Sequence, residues 1–193
     1  MGIVLLKAED YRRMPWKNGG GETTEIAVVP QGAGLADFDW RVSMAKVASD
    51  GPFSHFPGID RTLAILDGNG LELAFGNANR VFLDADTDPL PFPADIAVDA
   101  RLSNGLVTDL NVMTRRGAVV HRVSRFEIDG TTERQAVGSP TLVLCHSGTL
   151  AVETGGVGVN LSALDCAQIE ASPETSIRLS GKARCFVIDI VYE

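Results

Sequence analysis

The sequence predicts an all-β protein. Apolar runs are short, Gly, Pro, Asn and Asp separate them, and no long segment repeats its apolar residues at helical spacing. Twenty glycines and nine prolines supply the punctuation. With 193 residues, 45% of them hydrophobic and 22% charged, the chain can form one large domain or two small ones. It also carries enough apolar surface to offset chain entropy. Short strands of this kind build a sandwich or a barrel.

In chain order, strands are expected over 24–29, 39–47, 61–66, 71–75, 105–114, 118–123, 141–145, 149–153, 167–170 and 185–192. The first follows the run Gly19-Gly20-Gly21, and the second alternates along Trp40-Arg41-Val42-Ser43-Met44-Ala45. Asp50-Gly51-Pro52 closes it. Asp67-Gly68-Asn69-Gly70 separates the third strand from the fourth, and Ser103-Asn104-Gly105 opens the fifth. The later strands are apolar runs with Cys145, Cys166 and Cys185 in or beside them. An odd count without a CxxC spacing reads as buried, reduced thiols.

Charge shifts near Arg115: residues 1–114 hold 9 Lys+Arg and 16 Asp+Glu, whereas residues 115–193 hold 8 and 9. The expected division is therefore 1–115 and 116–193. Gly148-Thr149-Leu150 followed by Asp165 echoes Gly68-Asn69-Gly70-Leu71 followed by Asp95, as two similar small barrels would. A net charge of −8 argues against nucleic acid and anionic membrane as partners, because both attract Lys/Arg surfaces. No apolar stretch approaches the ~20 residues of a membrane span, and no secretory leader precedes the first strand. A cytoplasmic location is the expectation.

Several chemistries lack their signatures. Glu22 and a strand follow the triple glycine, where a phosphate loop needs Gly-Lys-Ser/Thr opening a helix. Only His55, His121 and His146 are present, without HxH, HxxxH or HExxH spacing, so neither metal nor cofactor is expected. Ser54-His55 are neighbours in a loop without a GxSxG elbow. No catalytic residue is assigned.

Polar residues inside two core-like strands are the unusual feature. Alternation places Arg41 and Ser43 opposite Trp40, Val42 and Met44, and gathers Asp109, Asn111, Met113 and Arg115 opposite Leu110 and Val112. One reading is a solvated face with structural ion pairs. The other is a barrel mouth that holds a small anion, since the planar guanidinium fork matches a carboxylate.

The blocks Met14-Pro15-Trp16-Lys17-Asn18-Gly19-Gly20-Gly21-Glu22-Thr23, Trp40 to Ala45, Asp50 to Ser54, Phe56 to Arg61 and Asp109 to Arg116 resemble the HutD/Ves family over residues 14–116. The resemblance implies a cupin-type bicupin: two small β-barrels with strands exchanged between them. It further implies binding of a metabolite of bacterial histidine utilisation, N-formylglutamate or its formimino relative, without catalysis; Ves-type members are linked instead to cold or stress responses. Metal-binding cupins carry paired histidines and a glutamate where Ser54, Phe56 and Arg61 stand here, and none of these replaces a metal ligand. Pro93-Ala94-Asp95 occupies the place of the second motif's P-G-D.

The expected ligand site is Trp16, Lys17, Asn18, Arg41, Ser43, Ser54, Phe56, Arg61, Asp109, Asn111 and Arg115. Arg61, with Arg41 or Lys17, would meet carboxylates; Asn111 and Ser43 would hydrogen-bond an amide; Trp16 or Phe56 would cover the apolar stem. Two alternatives stay open. One is an isomerase or hydrolase on a small carboxylate, with Asp109 as base and Lys17 or Arg61 as electrostatic stabiliser. The other is an interaction protein whose arginines pair with Asp60 and Asp109. A homodimer is the base-rate expectation for a barrel with free edges.

Overall fold

The computed structural model describes residues 2–16, 19–76, 79–173 and 175–193. Lys17 and Asn18, both expected in the site, lie outside the described residues. The described chain is all-β apart from one 3-10 turn, Ala8–Asp10. No helix is long and apolar enough to cross a membrane.

Two compact units divide the chain. Arg12–Ala118 forms one; residues up to Tyr11 join Val119–Glu193 in the other. Where the charge shift marked 1–115, the first strand, β1 (Gly2–Leu6), instead pairs antiparallel with β15 (Cys166–Glu170) of the second unit. Asp165 secures this segment: its carboxylate accepts the Ala8 backbone N–H at 3.0 Å and pairs with Lys7 at 3.1 Å.

The unit Arg12–Ala118 contains two sheets. Strands β2 (Arg12–Pro15), β3 (Gly21–Val29), β4 (Trp40–Val47), β6 (Ile59–Asp67), β9 (Leu90–Pro93) and β11 (Val107–Arg115) form one, in the order β2-β3-β4-β11-β6-β9. Strands β5 (Gly51–Pro52), β7 (Leu71–Phe75), β8 (Asn79–Leu83) and β10 (Val98–Leu102) form the other, in the order β5-β10-β7-β8. Leu63 and Ile65 of β6, Val107 of β11 and Phe92 of β9 pack with Leu71, Leu73, Leu83, Val98 and Ala100 into a single core. Each fully buried large side chain there contributes roughly 1.5–3 kcal/mol.

In the other unit β12 (Val119–Gln135), β13 (Thr141–Thr154), β14 (Val157–Leu161) and β16 (Ser176–Tyr192) join β1 and β15 in the order β1-β15-β13-β16-β12, with β14 on β13. Two strand expectations need correction here. The separate runs 141–145 and 149–153 are one strand, in which the register slips between Cys145 and Ser147 and the chain continues through Gly148 at φ 84°. A β-bulge placed glycine where a turn was expected. Likewise 118–123 and 185–192 are the ends of two 17-residue strands paired along their whole length. Their middle portions are largely solvent-exposed, so charges interrupt the apolar pattern there. All three cysteines are free and buried, and burial pushes Cys166 and Cys185 up to about 12.

Candidate functional site

Antiparallel register brings the polar strand faces together. On the central strands β4, β11 and β6, three cross-strand rows share one face. Arg41, Met113 and Arg61 form the first row, Ser43, Asn111 and Leu63 the second, and Ala45, Asp109 and Ile65 the third. Glu25 of β3 lies opposite Ser43, and a bulge between Glu25 and Ala27 then resets the register. The reverse face of these strands carries Trp40, Val42, Leu110 and Val112, all buried. The polar rows are therefore dry: Arg41 and Arg61 are 5% exposed, Ser43 and Asp109 1%, and Asn111 9%.

The two arginines differ in their compensation. Arg41 donates from Nε to Glu25 at 2.7 Å and from Nη1 to Ser43 Oγ at 3.3 Å, so its charge is paired. Arg61 makes no ion pair within 4.0 Å among the described residues. Its Nη2 makes two long contacts, 3.4 Å to the Ser54 carbonyl and 3.6 Å to Met113 Sδ, and its buried Nε has none. Around it stand Phe53 and Phe56, each 5.3 Å from the guanidinium to ring centroid, and Phe92 at 5.8 Å. Aromatic faces attract a cation but supply no counter-charge. Burial lowers Arg61 to about 10, Asp109 raises it and Arg41 lowers it. At neutral pH it remains a cation.

Asp109 answers from the third row. Burial pushes its carboxyl up to about 7, against the pull of Arg61 and of hydrogen bonds from Asn111 and the Ala45 backbone. Asn111 Nδ2 donates to Asp109 Oδ1 at 2.5 Å. A carboxyl poised near neutrality can give or take a proton under ordinary conditions.

The remaining expected residues divide. Trp16 donates from Nε1 to Thr23 Oγ1 at 2.8 Å, and Thr23 faces Ala45 in register, so the indole is tied to the third row's end of the sheet. Its ring also lies over Gly21, where an added Cβ would come within 3.0 Å of it. Phe56 joins the collar on Arg61, whereas Ser54 contributes its backbone carbonyl rather than its exposed hydroxyl. Arg115 turns away to the loop before β4, donating to the carbonyls of Phe38 at 2.7 Å and Ala36 at 3.1 Å. Asp60 pairs with Arg116 at 2.7 Å.

Sequence reading missed Glu25, Phe53 and Phe92. Glu25 shares the face of Ser43, its cross-strand partner, and only the pairing of β3 with β4 reveals this. The two phenylalanines come from short, irregular segments, and only their convergence on Arg61 marks them. Among the described residues, no three His, Cys, Asp or Glu side chains gather where they could hold a metal ion.

Comparison with known proteins places this arrangement. A relative from Pseudomonas putida, described as an uncharacterized 21.2 kDa protein in the hutC 3' region, is 34% identical over 191 residues, 98% of this chain and 97% of its own. Protein Ves from Citrobacter koseri is 43% identical over 111 residues, 55% of this chain and 56% of that protein. Among solved structures, a conserved protein of unknown function from Pseudomonas aeruginosa PAO1 superposes with a TM-score of 0.92 at 30% identity, covering 99% of this chain and 100% of that one. HutD from Pseudomonas fluorescens SBW25 superposes at 0.84 and 30% identity, covering 100% of both. A cupin 2 conserved barrel protein from Leptotrichia buccalis, at 0.57 and 13% identity over 94% of this chain and 96% of its own, shares the fold. The HutD family model matches residues 8–187. The chain belongs to the HutD family, whose members include proteins tied to histidine-utilisation genes.

Proposed function

We propose that this chain binds a small carboxylate metabolite of the N-formylglutamate type, without turning it over, in the regulation of bacterial histidine utilisation. The single observation that carries the reading is Arg61: a guanidinium 5% exposed, ringed by three phenylalanines, with its Nε unpartnered and, among the described residues, no carboxylate within ion-pair distance. A buried cation without a counter-ion is costly, and an anionic ligand removes the cost. The neighbouring Arg41 is already matched by Glu25, so one anionic group belongs at Arg61 and amide-recognising groups, Ser43 and Asn111, stand one row away. The histidine-pathway context comes from a relative in the hutC 3' region and from HutD of Pseudomonas fluorescens. The same reading holds the chain to be a cytoplasmic bicupin, able to dimerise through free strand edges.

Thermal unfolding tests it. Saturation at ~100 times the dissociation constant adds about 2.7 kcal/mol, which raises the Tm of a domain of this size by roughly 5–10 °C. N-formyl-L-glutamate at millimolar concentration should produce that rise, and Arg61→Ala should abolish it. No rise with this compound, glutamate, formiminoglutamate or urocanate removes the histidine-pathway ligand.

One observation favours a second reading. A carboxyl buried beside a cation and titrating near 7 suits a general acid–base. Turnover of a small carboxylate, lost in Asp109→Asn, would establish an enzyme instead of a receptor.

A further inference from the structure

We propose that Asp109 determines which head group the site accepts: in its neutral form it donates a hydrogen bond to a carbonyl of the ligand, while the ligand's carboxylate lies at Arg61. This rests on the carboxylate-binding reading above and adds the ligand's other end.

The charges on this face set the argument. Glu25 from β3 and Arg41 from β4 form an ion pair at 2.7 Å. Arg61 from β6 and Asp109 from β11 remain. From β9 comes Phe92, and β7, β8 and β10 bring Leu71, Leu73, Leu83, Val98 and Ala100, with Phe75, Val81 and Leu102 partly buried against them, to the adjoining core. An anion at Arg61 takes up the positive charge that otherwise draws Asp109 toward its ionised form. An ionised Asp109, 1% exposed, would then be a second negative charge with no unpaired cation on this face, among the described residues, to balance it. Placing the proton on Asp109 removes that repulsion.

Neutral Asp109 has one hydrogen to donate. Its carboxyl already accepts from Asn111 Nδ2 at 2.5 Å and from the Ala45 backbone N–H. As oriented, Asn111 Nδ2 and the Ala45 N–H only donate, so with Asn111 held in this orientation the ligand supplies the acceptor. An acyl or amide carbonyl fits, whereas a cationic amidinium would require the ionised carboxylate. One side-chain row, that of Asn111, lies between Met113, beside Arg61, and Asp109, about 13 Å of strand before the side chains reach inward. The ligand class is therefore an N-acyl amino acid with a carboxylate at one end and a carbonyl at the other.

Isothermal titration of the whole chain with N-formyl-L-glutamate and N-formimino-L-glutamate, at about pH 6 and about pH 8.5, tests this, since Arg61 stays charged in both and Asp109 does not stay neutral. The formyl probe should bind at least roughly tenfold more tightly at the lower pH, with net proton uptake read from buffers of different ionisation enthalpy. The formimino probe should show the opposite order. Asp109→Asn, whose amide N–H stands in for the carboxyl proton, should bind the formyl probe more tightly than the wild type at the higher pH. Should that variant fail to fold, carbon NMR of the Asp109 carboxyl in the wild type should show its titration moving up when the formyl probe is bound. Formyl binding without pH dependence or proton uptake overturns the role of Asp109 and leaves the carboxylate site standing. No heat from either probe at either pH overturns both.

Discussion

Replacing Arg61 with Met asks whether the guanidinium serves the fold or the ligand. Burial moves this group from 12.5 to about 10, which corresponds to about 3 kcal/mol against the charged form. At 5% exposure little of that is relieved by solvent. Three aromatic contacts at 5.3, 5.3 and 5.8 Å return part of it, about 0.5–1 kcal/mol each. Methionine has a similar reach, needs no counter-charge, and meets the same rings with favourable sulfur–aromatic contacts. Ligand-free Arg61→Met is expected to be more stable than the wild type by about 1–3 kcal/mol, a Tm increase of roughly 2–10 °C. The same variant should lose the rise produced by N-formyl-L-glutamate. Calorimetry with and without the compound measures both. A ligand-free variant destabilised by more than about 1 kcal/mol would show the guanidinium to be structural, and a retained ligand response would show that the anion binds elsewhere.

Three further predictions probe the surrounding groups. Asp109 titrates near 7 in the folded chain against 3.8 when unfolded; the folded state holds the extra proton, so this group's contribution is complete below about pH 4, declines as pH rises to about 7, and is absent above it. Urea unfolding of Asp109→Asn should therefore gain on the wild type by up to about 4 kcal/mol between pH 4 and pH 8, and parallel pH profiles would contradict the buried carboxyl. Glu25→Gln strands Arg41 as a second unbalanced buried cation and should cost about 3–5 kcal/mol in denaturant titrations, while tightening anion binding; unchanged stability would mean that the 2.7 Å pair contributes nothing. Gly148→Ala puts a Cβ 2.1 Å from the Lys182 carbonyl oxygen at a φ of 84°, so its unfolding midpoint should drop by the equivalent of about 1–3 kcal/mol or more.

What was legible in the sequence follows from local rules. Strand alternation alone put Arg41 with Ser43, and Asp109 with Asn111 and Met113, on single faces, and the register confirms that these faces coincide. The same rule failed for Arg115, which has the right parity but lies at the strand's last position. There the Phe38 and Ala36 carbonyls offer its guanidinium better partners. It failed also for β13, where a bulge imitates a turn, and for β12 and β16, whose middles carry Gly130 and Gly181 among exposed charges and so interrupt the apolar side.

By itself the sequence determined the β class, the segments that alternate and the polar residues that share a strand face, because side-chain direction in a strand depends only on position along it. Pairing between distant segments decided the rest. Glu25 reaches Arg41 across a neighbouring strand, and the backbone bulge that sets this register is a product of the sheet. Phe53 and Phe56, from the β5–β6 connection, and Phe92, from β9, surround Arg61 across as many as 39 positions. Whether Arg41 or Arg61 carries the free charge, and whether Asp109 holds a proton at neutral pH, are matters of burial and of neighbours. Those are properties of the folded chain, in which desolvation and a counter-charge a few ångströms away outweigh the identity of the residue.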